Sequence, residues 1–192
     1  KRLLTLFGVP YIDAPSGAEA QCAQLEKAAL VDGVVTEDND TFLFGARCVY
    51  RHLFDPQHDV EVYSMGDVEA EINVERGTLV ALAHLLGSDY TDGVHGVGVV
   101  NAMETIAAYG EGDDGLQAFA KWVQGWRGDS GDLATGDAVE AASAEADDEG
   151  RAERRRAFEH RHRTVRRNWV LPAGFPSRAV TDAYFRPLVD SS

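Results

Sequence analysis

Residues 9 to 36 constrain the fold most. Val9–Ile12 ("VPYI") reads as a short apolar strand. From Ser16 to Leu30, the residues Ala18, Cys22, Leu25 and Ala29 fall at helical spacing. Val34–Thr36 ("VVT") then reads as a second strand. A strand, a helix and a strand within about 30 residues form a βαβ unit, which favours a parallel sheet covered by crossover helices. In such a sheet, ligands bind beyond the carboxyl ends of the strands. The residues at those ends are therefore the first candidates for function.

The rest of the chain reads as mostly helical. Arg2 to Phe7 is an apolar helical stretch stopped by Gly8. "RCVYRHLF" and "VEVYS" read as two more strands around the polar turn Asp55–Asp59. Asp67 to Leu86 is expected to form two helices broken near Asn73. Gly93 to Tyr109 reads as a glycine turn followed by a helix, and Leu116 to Trp126 as an amphipathic helix. Residues 128–150 are rich in Asp, Glu, Ala, Gly and Ser, a composition too poor in large apolar groups to fold on its own. A basic helix is expected from Arg151 to Val170, ended by "LPAGFPS", with Ser177 placed to cap a last short helix through Tyr184.

The net charge of −14 argues by itself against nucleic acid. Its distribution changes that argument. Between Glu111 and Glu149 there are eleven acids against Lys121 and Arg127, and from Arg151 to Arg167 eight arginines against Glu153 and Glu159. The average hides a basic helix behind an acidic insert. No run of about eighteen apolar residues is present, so no membrane span is expected, and no secretory signal precedes the first apolar stretch. Cys22 and Cys48 make neither a disulfide framework nor a CxxC, so reduced thiols are expected. Cysteines and histidines are scattered, without a zinc pattern. His52, His58, His84, His95, His160 and His162 are assigned no role; Trp122, Trp126 and Trp169 are assigned to the core.

The second strand ends in "EDND", which contains Asp38 and Asp40. Glu19 opens the helix after the neighbouring strand, at the same edge of the sheet, and Asp89 follows a helix in "GSDY". Four carboxylates on loops at one edge suit Mg²⁺, which takes oxygen ligands and keeps several waters. Each acid also has a structural reading. Ser16 to Glu19 fits a capping box, Asp38 and Asp40 fit turn positions, and Asp89 fits a cap. In "DGVHGVGVV", Gly96 and Gly98 flank one apolar residue just before a helix. That arrangement lets backbone N–H groups approach a phosphate at a helix N-terminus; a tight interhelical turn is the other reading. The basic helix, with Arg155 and Arg156, suits phosphate neutralisation, a solvated face or a nuclear-import signal.

In order, "FGVPYIDAP", "AEAQC", "VVTEDNDTFLFGARCVYRHLF" and "LLGSDYTDGVHGVGVVNAMETI" resemble the structure-specific nuclease family that includes the flap endonucleases and XPG. "NWVLPAGFPSRAVTDAYFRPLVD" extends the resemblance, toward the XPG branch, nearly to the chain end. It implies an α/β fold: a PIN-like core with a partial parallel sheet and flanking helices, then a helix-two-turn-helix DNA-binding region and C-terminal helices. On this reading the internal nuclease block covers residues 1–64, the helical hairpin region 65–127, the acidic linker 128–150, and the basic helix with a C-terminal extension 151–192. The family's N-terminal block has no counterpart here, so the chain is expected to be a piece whose sheet and metal cage another segment completes.

The resemblance also implies an activity. It is Mg²⁺-dependent cutting of DNA at junctions of single and double strand, with 3′ incision in nucleotide excision repair, in the nucleus. The implied metal ligands are Glu19, Asp38, Asp40 and Asp89, sharing two Mg²⁺ ions. The hairpin positions Gly93, Val94, Gly96, Val97 and Gly98 grip the duplex backbone, with a K⁺ bound at the hairpin. Implied partners are bubble or flap DNA, the N-terminal block, and repair or transcription factors. Where the family has "EAEA" this chain has "GAEA", so Gly17 stands at the position of a metal-site glutamate. That departure keeps open a catalytically impaired junction-binding scaffold. A flap endonuclease or junction resolvase is the remaining alternative.

Overall fold

The structure is a computed structural model and describes residues 1–126 and 147–191, the side chains of residues 147–149 excepted. The chain divides into two compact units, Lys1–Arg76 with Asp182–Ser192, and Gly77–Thr181.

The first unit opens with α1 (Arg2–Phe7), ended by Gly8 in the left-handed conformation at φ 69°. The Gly8 amide donates to the Thr5 carbonyl, and that of Val9 to Leu4, which closes the last turn. α2 (Ala18–Lys27) follows, then β1 (Val34–Val35), α3 (Asp40–Leu43), β2 (Cys48–Arg51), β3 (Glu61–Ser64) and α4 (Met65–Ile72). The sheet order is β1-β2-β3. β1 and β2 are parallel with Val34 opposite Val49; β2 and β3 are antiparallel with Cys48 opposite Ser64.

The sheet is thus mixed, and its parallel crossover runs through α3 rather than α2. Val9–Ile12, expected as a strand, is extended chain outside any strand. No described strand hydrogen-bonds to it, and Val9, Tyr11 and Ile12 are about half exposed. An apolar run forms a strand only where a partner edge takes up its N–H and C=O groups.

Ala20, Ala23, Val34, Leu43, Phe44, Val49 and Tyr184 are buried in this unit. Glu26 is buried too, and its carboxylate accepts from the Arg47 amide and guanidinium, each at 3.1 Å. Those bonds replace the water the carboxylate gave up. The last residues are held by polar contacts: Gln21 Nε2 donates to the Asp190 carbonyl at 2.9 Å, and the Asp190 amide donates to Gln21 Oε1 at 2.7 Å.

The second unit is helical: most of α5 (Arg76–Leu86), then α6 (Val99–Tyr109), α7 (Asp113–Gly125) and α8 (Asp147–His162), a 3₁₀ turn Val165–Asn168, and the start of α9 (Arg178–Phe185). The break between α4 and α5 falls at Asn73, in the left-handed conformation at φ 52°, where the spacing put it. Leu85, Ala102, Leu116, Phe119, Phe158 and Trp169 build one core. α8 packs on α6: Phe158 enters the core, while Arg161 and His162 both reach Glu104 at 2.7 Å. The described part of the helix runs from Asp147, four residues before the expected start, to His162, eight residues short of the expected end at Val170. The remainder of the expected acidic linker, residues 128–146, lies outside the described residues. Of the tryptophans, Trp169 is buried, whereas Trp122 and Trp126 are half-buried under the guanidinium groups of Arg166 and Arg167.

Candidate metal and nucleic-acid site

The acid cluster begins where β1 ends. Thr36 Oγ1 accepts from the Asp38 amide at 3.0 Å, and Asp38 Oδ1 accepts from the Asp40 amide at 2.9 Å. These two short-range bonds turn the chain from β1 into α3, and they use only one oxygen of Asp38. Asp40 sits in the first turn of α3, half-buried, and its Oδ2 accepts from the Tyr184 hydroxyl at 3.2 Å. The turn reading of Asp38 is therefore observed, and it leaves carboxylate oxygen available.

Glu19 is in the first turn of α2, half-buried. The N-cap of that helix is Gly17, with no side-chain capping bond, so the capping box from Ser16 to Glu19 does not form. Burial, aided by the nearby Glu19 charge, pushes the Cys22 thiol above its ordinary range. Gly17 has φ −74° and ψ 140°, a conformation open to any residue. The backbone gives no reason for glycine there.

Asp89 belongs to the second unit and is exposed, in the loop where Ser88 and Thr91 form a bridge. The acids of the first unit, Glu19, Asp38 and Asp40, do not bring three ligand atoms within 4.8 Å of one another. Among the described residues the set that does is His52, Asp55 and His58. This corrects the reading that left the histidines without a constellation. Its signal was present as a His, Asp, His series at positions i, i+3 and i+6 of one turn, but a spacing outside helix and strand periods gives no geometry by itself.

The glycine turn divides into parts with different jobs. Gly93 has φ +73°, and a Cβ there would lie 2.4 Å from the Gly87 nitrogen. Gly96 has φ +88°, and a Cβ would meet the Trp169 ring at 3.0 Å. Both are glycine for the turn itself. The Val94 side chain is in the core, and its amide donates to the Leu85 carbonyl; the Val97 amide donates to Val94. Those amides are spent inside the loop.

Gly98 differs. It is exposed, its φ is −100°, and a Cβ would meet nothing within 4 Å. It is the N-cap of α6, and the first amide to donate back along the helix is that of Ala102. The N–H groups of the intervening first turn have no intrahelical acceptor and carry the positive end of the helix dipole.

Of the two arginines singled out on α8, Arg155 is engaged internally. Its Nε donates to Glu159 at 2.9 Å, and its guanidinium lies 4.7 Å from the Tyr109 ring centre. Arg156 is exposed.

The XPG I-region model matches residues 8–89, which contain all four acids and the N-terminal part of this site. The chain belongs to the XPG family. DNA repair protein rad13 of Schizosaccharomyces pombe is 42% identical over the whole chain, which covers 16% of that protein. DNA excision repair protein ERCC-5 of Mus musculus is 40% identical, again over the whole chain and 15% of the relative. The chain thus spans a small part of the length of the XPG-family relatives it matches. The catalytic core of Rad2 in complex with DNA substrate matches all of this chain and 55% of that one, at 37% identity and a TM-score of 0.75. The junction-resolving enzyme GEN1 has similar structures solved with product DNA and Mg²⁺ (27% identity, TM-score 0.61) and with potassium (25%, 0.64). These cover 100% and 99% of this chain, and 42% and 44% of those chains.

Proposed function

We propose that this chain is the internal block and hairpin region of a structure-specific DNA endonuclease, acting at junctions of single and double strand in the 3′ incision of nucleotide excision repair. The observation that carries the reading is the similarity of the whole of this chain to 55% of the Rad2 catalytic core solved with DNA substrate. Relatives named as DNA repair proteins support the nucleus as the compartment in this proposal.

The donor set fits a hard cation. Glu19, Asp38, Asp40 and Asp89 offer only carboxylate oxygens, and Asp38 keeps one oxygen outside its turn. Mg²⁺ takes one or two carboxylates and retains several waters. Acids shared between two such ions do not need to crowd within 4.8 Å. When bound, the metal supplies a water of lowered pKa and charge neutralisation at the scissile phosphate. The residues do the positioning: Asp38 is held by the Asp40 amide and Asp40 by Tyr184, so two ligands are oriented before metal binds. Gly98 leaves the N-terminus of α6 open to a backbone phosphate, a contact independent of base sequence. Gly93 and Gly96 shape that turn, Val94 and Val97 brace it, and Arg156 adds non-specific affinity. K⁺ at this hairpin and protein partners in repair belong to the same proposal.

The test is incision of a labelled bubble DNA by the chain, supplied with the N-terminal block of a rad13-type relative, with Mg²⁺ or with chelator. Mg²⁺-dependent cutting lost in Asp38→Ala supports the reading. Binding that ignores Mg²⁺, with no cutting by any variant, supports the junction-binding scaffold instead. Gly17 is the observation that favours that second reading.

A further inference from the structure

We propose that His52, Asp55 and His58 form a site for a divalent transition metal of the Zn²⁺ class in the turn between β2 and β3. One nitrogen or oxygen from each lies within 4.8 Å of the others. Two imidazoles and one carboxylate suit Zn²⁺ or Co²⁺ and not Mg²⁺, which selects oxygen.

The turn is built to present these groups. The Asp55 amide donates to the His52 carbonyl at 3.1 Å. The Gln57 amide donates to Asp55 Oδ1 at 2.9 Å, which leaves Oδ2 facing His58 Nδ1 at 2.7 Å. His52 sits at φ +57°, a conformation uncommon outside glycine, and there its ring stacks on His58 at 4.9 Å between centres.

A partner outside the set fixes the ligand nitrogen of His52. Glu37, at the end of β1, accepts the His52 amide at 2.7 Å and holds its Nδ1 at 3.2 Å. A carboxylate on Nδ1 keeps the proton there and leaves the Nε2 lone pair for a metal, the usual arrangement around ligating histidines. Glu61 Oε2 lies 3.7 Å from that Nε2 and receives the Tyr63 hydroxyl. Glu61 or a water completes four-coordination. Two ligand atoms on a tetrahedral Zn²⁺ stand about 3.3 Å apart, given bonds of about 2.0 Å. Binding therefore spreads the Asp55–His58 pair slightly, which the exposed His58 side chain permits. The site would clip the β2–β3 turn to the end of β1 that carries Asp38.

The test is calorimetric titration of the whole chain with Zn²⁺ in excess Mg²⁺, repeated with Co²⁺ to read visible bands. Expected are one Zn²⁺ per chain and tetrahedral Co²⁺ bands. His58→Ala should weaken Zn²⁺ at least about tenfold, Glu37→Gln about tenfold, and His58→Cys should restore binding. Asp38→Asn should leave Zn²⁺ affinity unchanged, which separates this site from the nuclease acids. Far-UV circular dichroism checks that the exposed His58 variants keep their fold. Absence of Zn²⁺ binding in excess Mg²⁺, or equal affinity in His58→Ala, overturns the proposal: the cluster is then a hydrogen-bonded turn only.

Discussion

The buried phenol of Tyr184 donates to Asp40 at 3.2 Å, although 144 residues separate the two in sequence. The same ring packs against Phe44 at 5.2 Å, and the Tyr184 carbonyl accepts from Arg76. A candidate metal ligand is thus oriented by the end of the chain. Tyr184→Phe keeps the packing and removes the donor. It is expected to cost about 1 kcal/mol in urea unfolding and to raise the Mg²⁺ concentration needed for incision. Unchanged Mg²⁺ dependence would make the bond purely structural.

Asp38 holds the turn into α3 and, under the proposed function, also binds metal; substitutions separate the two. Asn keeps an acceptor for the Asp40 amide and loses the charge; Ala loses both. Asp38→Asn should therefore unfold like the parent yet cut about a hundredfold more slowly, because metal placement sets the attack geometry. Asp38→Ala should show the same loss of rate with a lower unfolding midpoint as well.

Gly17→Glu places a carboxylate at the N-cap of α2 without backbone strain. A negative charge there also favours the helix dipole by a few tenths of a kcal/mol. Incision should rise in Gly17→Glu while thermal stability stays level or improves. Equal rates in both forms would show that the remaining acids suffice.

The glycine turn gives a paired prediction. Gly93→Ala puts a methyl group against the Leu86–Gly87 backbone and should destabilise the protein strongly, as read by its melting temperature. A Cβ at Gly98 meets nothing within 4 Å among the described residues, so Gly98→Val should leave melting nearly unchanged. It should nevertheless weaken binding to duplex DNA, measured by fluorescence anisotropy. If Gly98→Val binds as well as the parent, the helix N-terminus is not the phosphate contact.

Stability should depend on pH through His84. Its Nε2 lies 3.0 Å from Thr181 Oγ1, whose hydroxyl donates to Asp113 at 2.9 Å, so the imidazole donates to Thr181. Its Nδ1 is buried without a partner among the described residues. Burial pushes the His84 pKa down, only partly opposed by Asp113. The unfolded state then takes up a proton more readily than the folded one. The contribution is complete above the unfolded value of about 6.5 and is lost as pH falls from there through the lower folded value. The urea midpoint should drop between about pH 7 and pH 5, and His84→Gln, which keeps the donor, should flatten that slope.

The helices were legible where apolar spacing repeats over several turns. α1 ends at Gly8, the break falls at Asn73, and α6 and α7 occupy the expected stretches. Val9–Ile12 differs from its expected strand because an apolar run looks the same in sequence whether or not a neighbouring edge receives it. The acids were visible as residue types at predicted loop positions. Which oxygens remain available was not, since the Asp38 turn and the Tyr184 bond are matters of geometry.

By itself the sequence determined local matters: the ordered blocks that resemble a nuclease family, the glycine turn before a helix, the basic helix after an acidic stretch, and the glycine at position 17. Each depends on a residue's own backbone preferences or on neighbours a few positions away. The tertiary structure alone decided which glycine faces open space, that Arg155 is held by Tyr109 and Glu159, and that Glu37 aligns His52 beside His58. Those facts depend on side chains meeting from distant strands and helices. Burial and pairing are properties of the packed chain, and no spacing rule carries them.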